Sequence, residues 1–195
     1  MRDPKPEQQG SQDGACGFYA LGNALAIVCP KVRRNIDAIF KEIYDFYLKD
    51  HDGSHFLAGM GRNMLNDLAS HVLTHISKYY DQDVSVKHPF WARRANTLGE
   101  WRKTLNAHFQ DNPDGAAIIA YEYCKDAVEA ESHWTVIKKM TSTSIFTFDS
   151  SNERKYIPFR LCRIWDDKSK NKARPYKIDT TSTFLFYRNV YEAHQ

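Results

Sequence analysis

Residues 9–25 read QGSQDGACGFYALGNAL, and this stretch determines how the rest of the chain is interpreted. Its first part is rich in Gln, Gly and Asp, which is typical of an extended segment that ends in a turn. From about Ala15 to Val28 the residues change to Ala, Leu, Phe and Tyr with helical recurrence, and Pro30 closes the segment. The pattern therefore predicts a helix whose first turn contains Cys16.

A cysteine in the first turn of a helix is well placed to act as a nucleophile. The positive end of the helix and its unpaired backbone N–H groups both favour the thiolate over the thiol. Such a position, together with a nearby protonated histidine, lowers the pKa of a thiol to about 3.5–7.5. The alternative for Cys16 is a buried structural residue, because free cysteine is most often buried.

The residues around this cysteine fit either interpretation. Asp13 or Ser11 is the expected cap of the helix. Gly14 and Gly17 flank the cysteine, and we expect them to leave room for a substrate carbonyl beside its sulfur.

A histidine and an aspartate follow in two neighbouring predicted strands. Residues 132–137 (SHWTVI) begin one strand with His133, and residues 146–149 (FTFD) end the next with Asp149, sixteen positions later. A hairpin of these strands would bring both side chains to one end of the sheet. The aspartate would then fix the tautomer of the imidazole, which would take a proton from Cys16 and later protonate the leaving group. A lone histidine at the start of a strand is usually structural, so it is the complete set that favours catalysis.

The remaining periodicities predict an α+β fold in a single domain over residues 1–195. Amphipathic stripes predict further helices over 33–49, 62–80 and 97–110. After residue 115 the period changes to two, which predicts strands at 116–123, 133–140, 144–150 and 183–189, and weaker ones at 155–157, 160–165 and 175–178. Because the helices come first and the strands second, we expect helices packed on a mainly antiparallel sheet.

Composition narrows the class of protein. The chain of 195 residues is 42% hydrophobic and 26% charged, which is enough to fill a core and argues against a disordered or fibrous protein. A net charge of +3 is too small to indicate nucleic-acid binding. The four cysteines contain no CxxC pair, which argues against a zinc ribbon or a disulfide framework. The polar N-terminus and the short apolar runs predict no signal peptide and no membrane span, so we expect a cytoplasmic protein, with secretion as an effector left open.

The motifs resemble the papain-like cysteine peptidase superfamily. The run CGFYALGNAL with the later HWTVI and FDS is most similar to the C39-like peptidases, and DGAC at 13–16 is similar to the opening of the OTU deubiquitinase motif. The resemblance implies a papain-like fold with a helical half followed by a β half. It makes Cys16 the nucleophile, His133 the general base and acid, and Asp149 the orienting residue.

The resemblance also implies an oxyanion hole formed by the Cys16 backbone N–H and a glutamine side chain. The family's glutamine usually lies six positions before the cysteine, where this sequence has a glycine. Gln9, seven positions before, is favoured through a one-residue insertion, and Gln12, four before, is the alternative. If neither points inward, the hole is built from backbone alone, as the similarity to OTU enzymes suggests.

Several weaker signals are read conservatively. His71 and His75 have metal-ligand spacing, but without a third ligand they are interpreted as a solvated helix face, and we expect no metal and no cofactor. Residues 50–55 (DHDGSH) and 168–174 (KSKNKAR) are interpreted as loops. Trp134 either lines the substrate cleft or packs on the sheet.

Three functions remain open from the sequence. The first is a cysteine peptidase acting on a protein or peptide, such as a host protein or a conjugate of a ubiquitin-like modifier. The second is a glutamine deamidase or transglutaminase with the same triad. The third is a papain-like domain that only binds a partner, which an intact Cys, His and Asp set argues against.

Overall fold

The structure of the protein is a computed structural model, which describes residues 6–7, 13–53, 59–124, 130–150, 155–165 and 173–189. A 3₁₀ turn at Asp13–Ala15 precedes the first helix. The helices are α1 (Cys16–Val28), α2 (Pro30–Arg33), α3 (Ile36–Asp50), α4 (Arg62–Tyr80) and α5 (Leu98–Asp111). The strands are β1 (Val84–Lys87), β2 (Ala116–Cys124), β3 (Ala130–Met140), β4 (Ser144–Phe148), β5 (Tyr156–Pro158), β6 (Cys162–Ile164) and β7 (Tyr176–Arg188).

The strands form one mixed sheet that is almost entirely antiparallel. Its order is β1-β7-β2-β3-β4-β5, and each of these neighbours is antiparallel. β6 lies beside the first residues of β7 in parallel orientation. The long strand β7 therefore carries β1 and β6 on one side and β2 on the other, which makes β2 and β7 the centre of the sheet.

Both faces of this sheet carry hydrophobic side chains that are buried against helices. Alternate residues of β2 point to opposite faces, as the period of two requires. One face packs on α1, α3 and α4 through Ile118, Trp134, Val136, Phe148 and Phe184. The other face packs on α5 through Ile119, Tyr121, Ile137, Ile178 and Leu185. The sheet is thus the middle layer of three, and covering both faces explains why β2 is apolar at successive positions.

The helix α1 lies at the centre of the helical layer. Nearly all of its residues are buried, including Asn23, because it packs on both the sheet and α3. Gly22 permits the close contact with α3, since a Cβ atom at this position would lie 2.5 Å from Cζ of Phe40. A helix held this firmly gives its N-terminal residue a fixed position relative to β3.

The predicted α+β class with an antiparallel sheet is confirmed, and several boundaries agree closely. The helix predicted over 62–80 is α4, and the predicted strands at 116–123 and 144–150 correspond to β2 and β4. The strands predicted separately at 175–178 and 183–189 form a single strand, β7. The prediction divides it because polar residues in its middle interrupt the apolar alternation. The sequence analysis missed β1 and also missed that Pro30 begins a separate short helix, where a proline at the first position is favourable.

Two further details differ from the sequence expectations. The residue at the N-cap of α1 is Ala15, which makes no side-chain cap, so Asp13 does not occupy the N-cap position. Ser11, the alternative cap, lies outside the described residues. Within the described part of the chain, no helix has the length and apolar character needed to cross a membrane.

Candidate active site

The first residue of α1 is Cys16, which is 4% exposed. The 3₁₀ turn that precedes it continues into the helix, so the sulfur lies at the end where the backbone N–H groups lack helical partners. The N-cap residue Ala15 supplies no side-chain cap, and the first turn of α1 contains no acidic residue. The positive end of the helix is therefore available to stabilise negative charge on the sulfur or on a nearby oxygen.

The hairpin of β3 and β4 places His133 against Asp149. Val136 pairs with Phe148, so the residue after β4 comes opposite Thr135 and close to His133. The Nε2 atom of His133 lies 3.0 Å and 3.1 Å from the two carboxylate oxygens of Asp149. The Asp149 side chain is 2% exposed and that of His133 is 16% exposed, so this contact is protected from water.

The imidazole of His133 also contacts the thiol. Burial lowers the pKa of His133, but hydrogen bonds with Asp149 and Cys16, together with the charges of these two residues, raise its pKa to about 9. Because Nε2 faces the carboxylate, Nδ1 is the ring nitrogen left to face the sulfur. The structure thus brings the three predicted catalytic residues together around one imidazole ring.

Two residues that the sequence analysis did not identify also contact His133 or Asp149. The hydroxyl of Thr135 donates a 2.8 Å hydrogen bond to Oδ2 of Asp149 and holds the carboxylate from a second direction. The ring of Tyr121, the cross-strand partner of His133, lies edge-on to the imidazole with 5.6 Å between ring centroids. Thr135 lies two residues after His133 on the same face of a strand, which is a signal that the sequence does contain. The contact with Tyr121 depends on strand register, which has no comparable local signal.

Trp134 packs on the sheet and also lines a cleft. Its side chain is on the opposite face of β3 from His133, and its indole N–H donates a 2.8 Å hydrogen bond to the carbonyl of Met60. Its ring packs on Phe184 with 5.9 Å between centroids. It also lines a cleft of about 540 Å³, next to the predicted catalytic residue His133 in the chain.

The two glycines near the nucleophile are buried in the protein rather than open to the cleft. Gly14 and Gly17 are both buried. A Cβ atom on Gly17 would lie 3.1 Å from Sδ and 3.2 Å from Cβ of Met60. The space beside Gly17 is thus occupied by Met60, which differs from the expectation that this glycine makes room for a substrate carbonyl.

Both candidate oxyanion glutamines, Gln9 and Gln12, lie outside the described residues. The N-terminal segment is hydrogen-bonded to α1 at Glu7, whose backbone N–H donates to Oδ1 of Asn23 at 2.8 Å. The amide of Asn23 in turn donates to the Glu7 carbonyl at 3.3 Å. This reciprocal pair attaches the segment to the buried middle of α1, which explains a polar residue inside a helix core.

The other polar clusters lie away from this site. His71 and His75 both face Glu42 on α3, at 2.6 Å and 3.4 Å. Among the described residues, no group of three or more His, Cys, Asp or Glu side chains has an arrangement that could hold a metal ion. Of the remaining cysteines, Cys29 and Cys162 are buried, whereas Cys124 is partly exposed.

In comparisons with known proteins, no protein-family model matches the chain and no curated protein matches its sequence. The chemical interpretation therefore depends on the geometry alone. That geometry is a thiol at a helix N-terminus, an imidazole in contact with it, and a buried carboxylate behind the imidazole, which is the arrangement of an activated nucleophile.

Proposed function

We propose that the protein is a cysteine-dependent hydrolase that cleaves an amide, peptide or isopeptide bond through an acyl-enzyme. The single observation that carries this proposal is the position of His133, which lies 3.0 Å from the Asp149 carboxylate and whose pKa is raised by interactions with both Asp149 and Cys16. A structural cysteine needs no such partner. A buried His–Asp pair directed at a thiol fits the logic of a catalytic triad.

Each residue has a distinct role in the proposed reaction. The Cys16 thiolate attacks the carbonyl carbon, and the electrons of the carbonyl bond move onto its oxygen. His133 then gives its proton to the departing amine, the C–N bond breaks, and a thioester to Cys16 remains. Water, deprotonated by the same imidazole, attacks the thioester and releases the acid and the thiolate. Asp149 keeps the imidazole oriented and stabilises its charged form in both halves of the reaction.

Stabilisation of the developing oxyanion is assigned to the start of α1. The uncapped N–H groups of its first turn, with that of Cys16 foremost, are the donors nearest to the sulfur along the chain. Gln9, or alternatively Gln12, would add a side-chain donor. Within this proposal the fold is papain-like, with the helical layer supplying the nucleophile and the sheet supplying the base. The partner is a protein or peptide substrate in the cytoplasm.

Selective alkylation of the thiols tests the nucleophile directly. We expect iodoacetamide at pH 6 to label Cys16 faster than Cys124, although Cys124 is the more exposed thiol. His133→Ala should slow the labelling of Cys16 and leave that of Cys124 unchanged. Peptide mapping by mass spectrometry distinguishes the sites, and equal labelling of both cysteines in the wild-type protein would contradict the proposal.

Incubation with a proteome-derived peptide library tests the reaction. We expect new peptide termini with the wild-type protein and with Cys124→Ala, the control variant, but none with Cys16→Ala. A mass gain of about 1 Da at glutamine residues, without new termini, would indicate that the protein deamidates glutamine and does not cleave peptide bonds. Termini that form equally with Cys16→Ala would exclude this cysteine as the nucleophile.

A further inference from the structure

A cleft of about 540 Å³ lies on the helical side of the sheet, next to the candidate active site. The aromatic residues Trp91, Trp134 and Trp165 form much of its lining. Such a concave aromatic surface with a few polar groups is typical of a binding site for a small group or a side chain.

The cleft adjoins the candidate active site through residues next to it in the chain. Ser132 and Trp134 flank His133 in β3, and both line the cleft. Met60 lines it as well, and its side chain fills the space beside Gly17, the residue that follows the nucleophile. A substrate whose scissile bond lies at Cys16 therefore has a neighbouring group within reach of the cleft.

Arg62 gives the cleft a definite chemical preference. It is a partly buried residue whose guanidinium carbon lies 4.7 Å from the centroid of the Trp91 ring. Its one hydrogen bond with described residues goes to the Trp91 carbonyl at 3.4 Å, and no carboxylate of the described residues pairs with it. Most of its five N–H donors are thus left over, while the stacking on Trp91 fixes the plane in which they lie.

The position of Arg62 in the helix makes this arrangement less favourable for folding. It is the first residue of α4, where the helix dipole disfavours a positive charge by about 0.3–1 kcal/mol, and the first turn contains no acidic residue to compensate. A cation that is partly buried, rigid and without a carboxylate partner is stabilised when an anion binds to it.

The acidic groups of the cleft do not supply that anion. Glu122 forms an ion pair with Lys177 at 3.1 Å. Asp179 accepts hydrogen bonds of 2.7 Å from the hydroxyls of Thr181 and Ser182, one on each carboxylate oxygen. A second arginine, Arg94, also lines the cleft.

We propose that this cleft binds a carboxylate of the substrate, held by the fork of Arg62 and flanked by the aromatic rings. The inference depends on the proposed function, since it names the chemistry of the substrate beside the scissile bond. A carboxylate can come from an Asp or Glu side chain or from the C-terminus of the substrate. Both sources present the planar pair of oxygens that a guanidinium recognises with two parallel hydrogen bonds.

The test uses short peptides that carry a chloroacetyl group on a central diaminopropionyl side chain, which alkylates Cys16. Peptides with Glu or Gln at each flanking position are compared, and each is made with a free or an amidated C-terminus. The rate of Cys16 alkylation is measured for the wild-type protein, Arg62→Gln, Arg62→Lys and Arg160→Gln. Arg160 is an exposed arginine outside the cleft and serves as the matched control. Iodoacetamide measures the reactivity of the thiol without any peptide recognition.

We expect at least one Glu peptide or free-acid peptide to react about tenfold faster than its neutral partner in the wild-type protein. That preference, with each peptide rate divided by the iodoacetamide rate of the same variant, should disappear in Arg62→Gln, weaken in Arg62→Lys and persist in Arg160→Gln. A Glu preference assigns the carboxylate to a side chain, and a free-acid preference assigns it to the terminus. Equal rates for all charged and neutral pairs, or a preference that survives in Arg62→Gln, would overturn the inference. Slow, unselective reaction of Cys16 with iodoacetamide would instead overturn the proposed function.

Discussion

Two histidine–carboxylate clusters in this protein have similar contacts and different surroundings. In one, Nε2 of His133 lies 3.0 Å from Oδ1 of Asp149. In the other, Nε2 of His71 lies 2.6 Å from Oε1 of Glu42, and Nδ1 of His75 lies 3.4 Å from Oε2 of the same residue. Judged by distance alone, the second cluster is the closer ion pair.

Burial and the third partner separate the two clusters. The carboxylate is 2% exposed at Asp149 and 28% exposed at Glu42, so water screens the second cluster and scarcely reaches the first. His133 also contacts a thiol, whereas the ring of His71 stacks on Phe46 with 3.8 Å between centroids. A histidine–carboxylate pair is therefore buried beside a thiol at the sheet, as the proposed proton transfer requires, and packed between α3 and α4 in the other cluster.

The largest expected difference between the clusters is in turnover. His133→Ala should lower turnover of a Cys16-dependent substrate by about 10²–10⁴-fold, because general acid–base catalysis is lost in both half-reactions. Asp149→Asn should leave a larger residual rate, since Asp149 only orients and stabilises the imidazole. His75→Ala, the control in the second cluster, should stay within about twofold of the wild type, because its loss changes no proton transfer. Near-normal turnover in His133→Ala would show that the two clusters do not differ in function.

The two clusters should also differ in titration, as measured by NMR of the imidazole nitrogens. The pKa of His133 is raised from 6.5 to about 9, because its hydrogen bonds and the nearby charges outweigh burial. In Asp149→Asn or Cys16→Ala one of these contributions is lost, and we expect the pKa of His133 to fall by about one unit or more. Glu42→Gln is the control and should leave the pKa of His133 unchanged. A wild-type value near 6.5 would contradict the contact between the imidazole and the thiol.

The same shift has a consequence for stability. Because the pKa of His133 is higher in the folded protein, protonation favours folding. The stabilisation is complete below about pH 6.5 and is lost as the pH rises through about 9. We therefore expect the free energy of unfolding of the wild type to approach that of Asp149→Asn as the pH rises across this range.

The sequence predicts the first cluster better than its surroundings. His133 and Asp149 lie in successive strands of one hairpin, so their approach follows from local spacing. The helix α4 is equally predictable from the sequence, since Leu65, Leu68 and Val72 form a long apolar stripe of regular period. In contrast, β1 has four residues, and its pairing with the end of β7 joins positions about a hundred residues apart, for which no local pattern exists.

The residues that support the site depend on similar long-range information. Tyr121 reaches His133 only through the register of β2 and β3. Arg62 contacts Trp91 across 29 positions of the chain, so neither residue indicates the other in the sequence. The sequence therefore identifies the residues of the proposed reaction, and the fold identifies those that surround them.

A moderate effect is expected from the hydroxyl that supports Asp149. Thr135→Val keeps the shape of the side chain but removes the 2.8 Å hydrogen bond to Oδ2, which leaves a buried carboxylate with one donor fewer. We expect the free energy of unfolding to fall by about 1–3 kcal/mol and turnover by about three- to tenfold. Thr183→Val is the matched control, because Thr183 is also buried and accepts a 3.0 Å hydrogen bond from Trp101. Loss of stability in both variants with equal loss of turnover would assign Thr135 a purely structural role.

The smallest effect is expected in the cluster of Glu42, His71 and His75. Glu42→Gln preserves the size of the side chain and removes its charge, so it tests whether the contacts with His71 and His75 depend on ionic attraction. Partly exposed pairs of this kind contribute about 0–1 kcal/mol, because water screens the charges and the side chains lose freedom. We expect the free energy of unfolding to fall by less than about 1 kcal/mol at low salt, and the difference to shrink further in 1 M salt. His71→Ala should cost more than Glu42→Gln, since it also removes the stacking on Phe46. Chemical denaturation of both variants measures this order, and the reverse order would mean that attraction to Glu42, rather than packing, holds His71 in place.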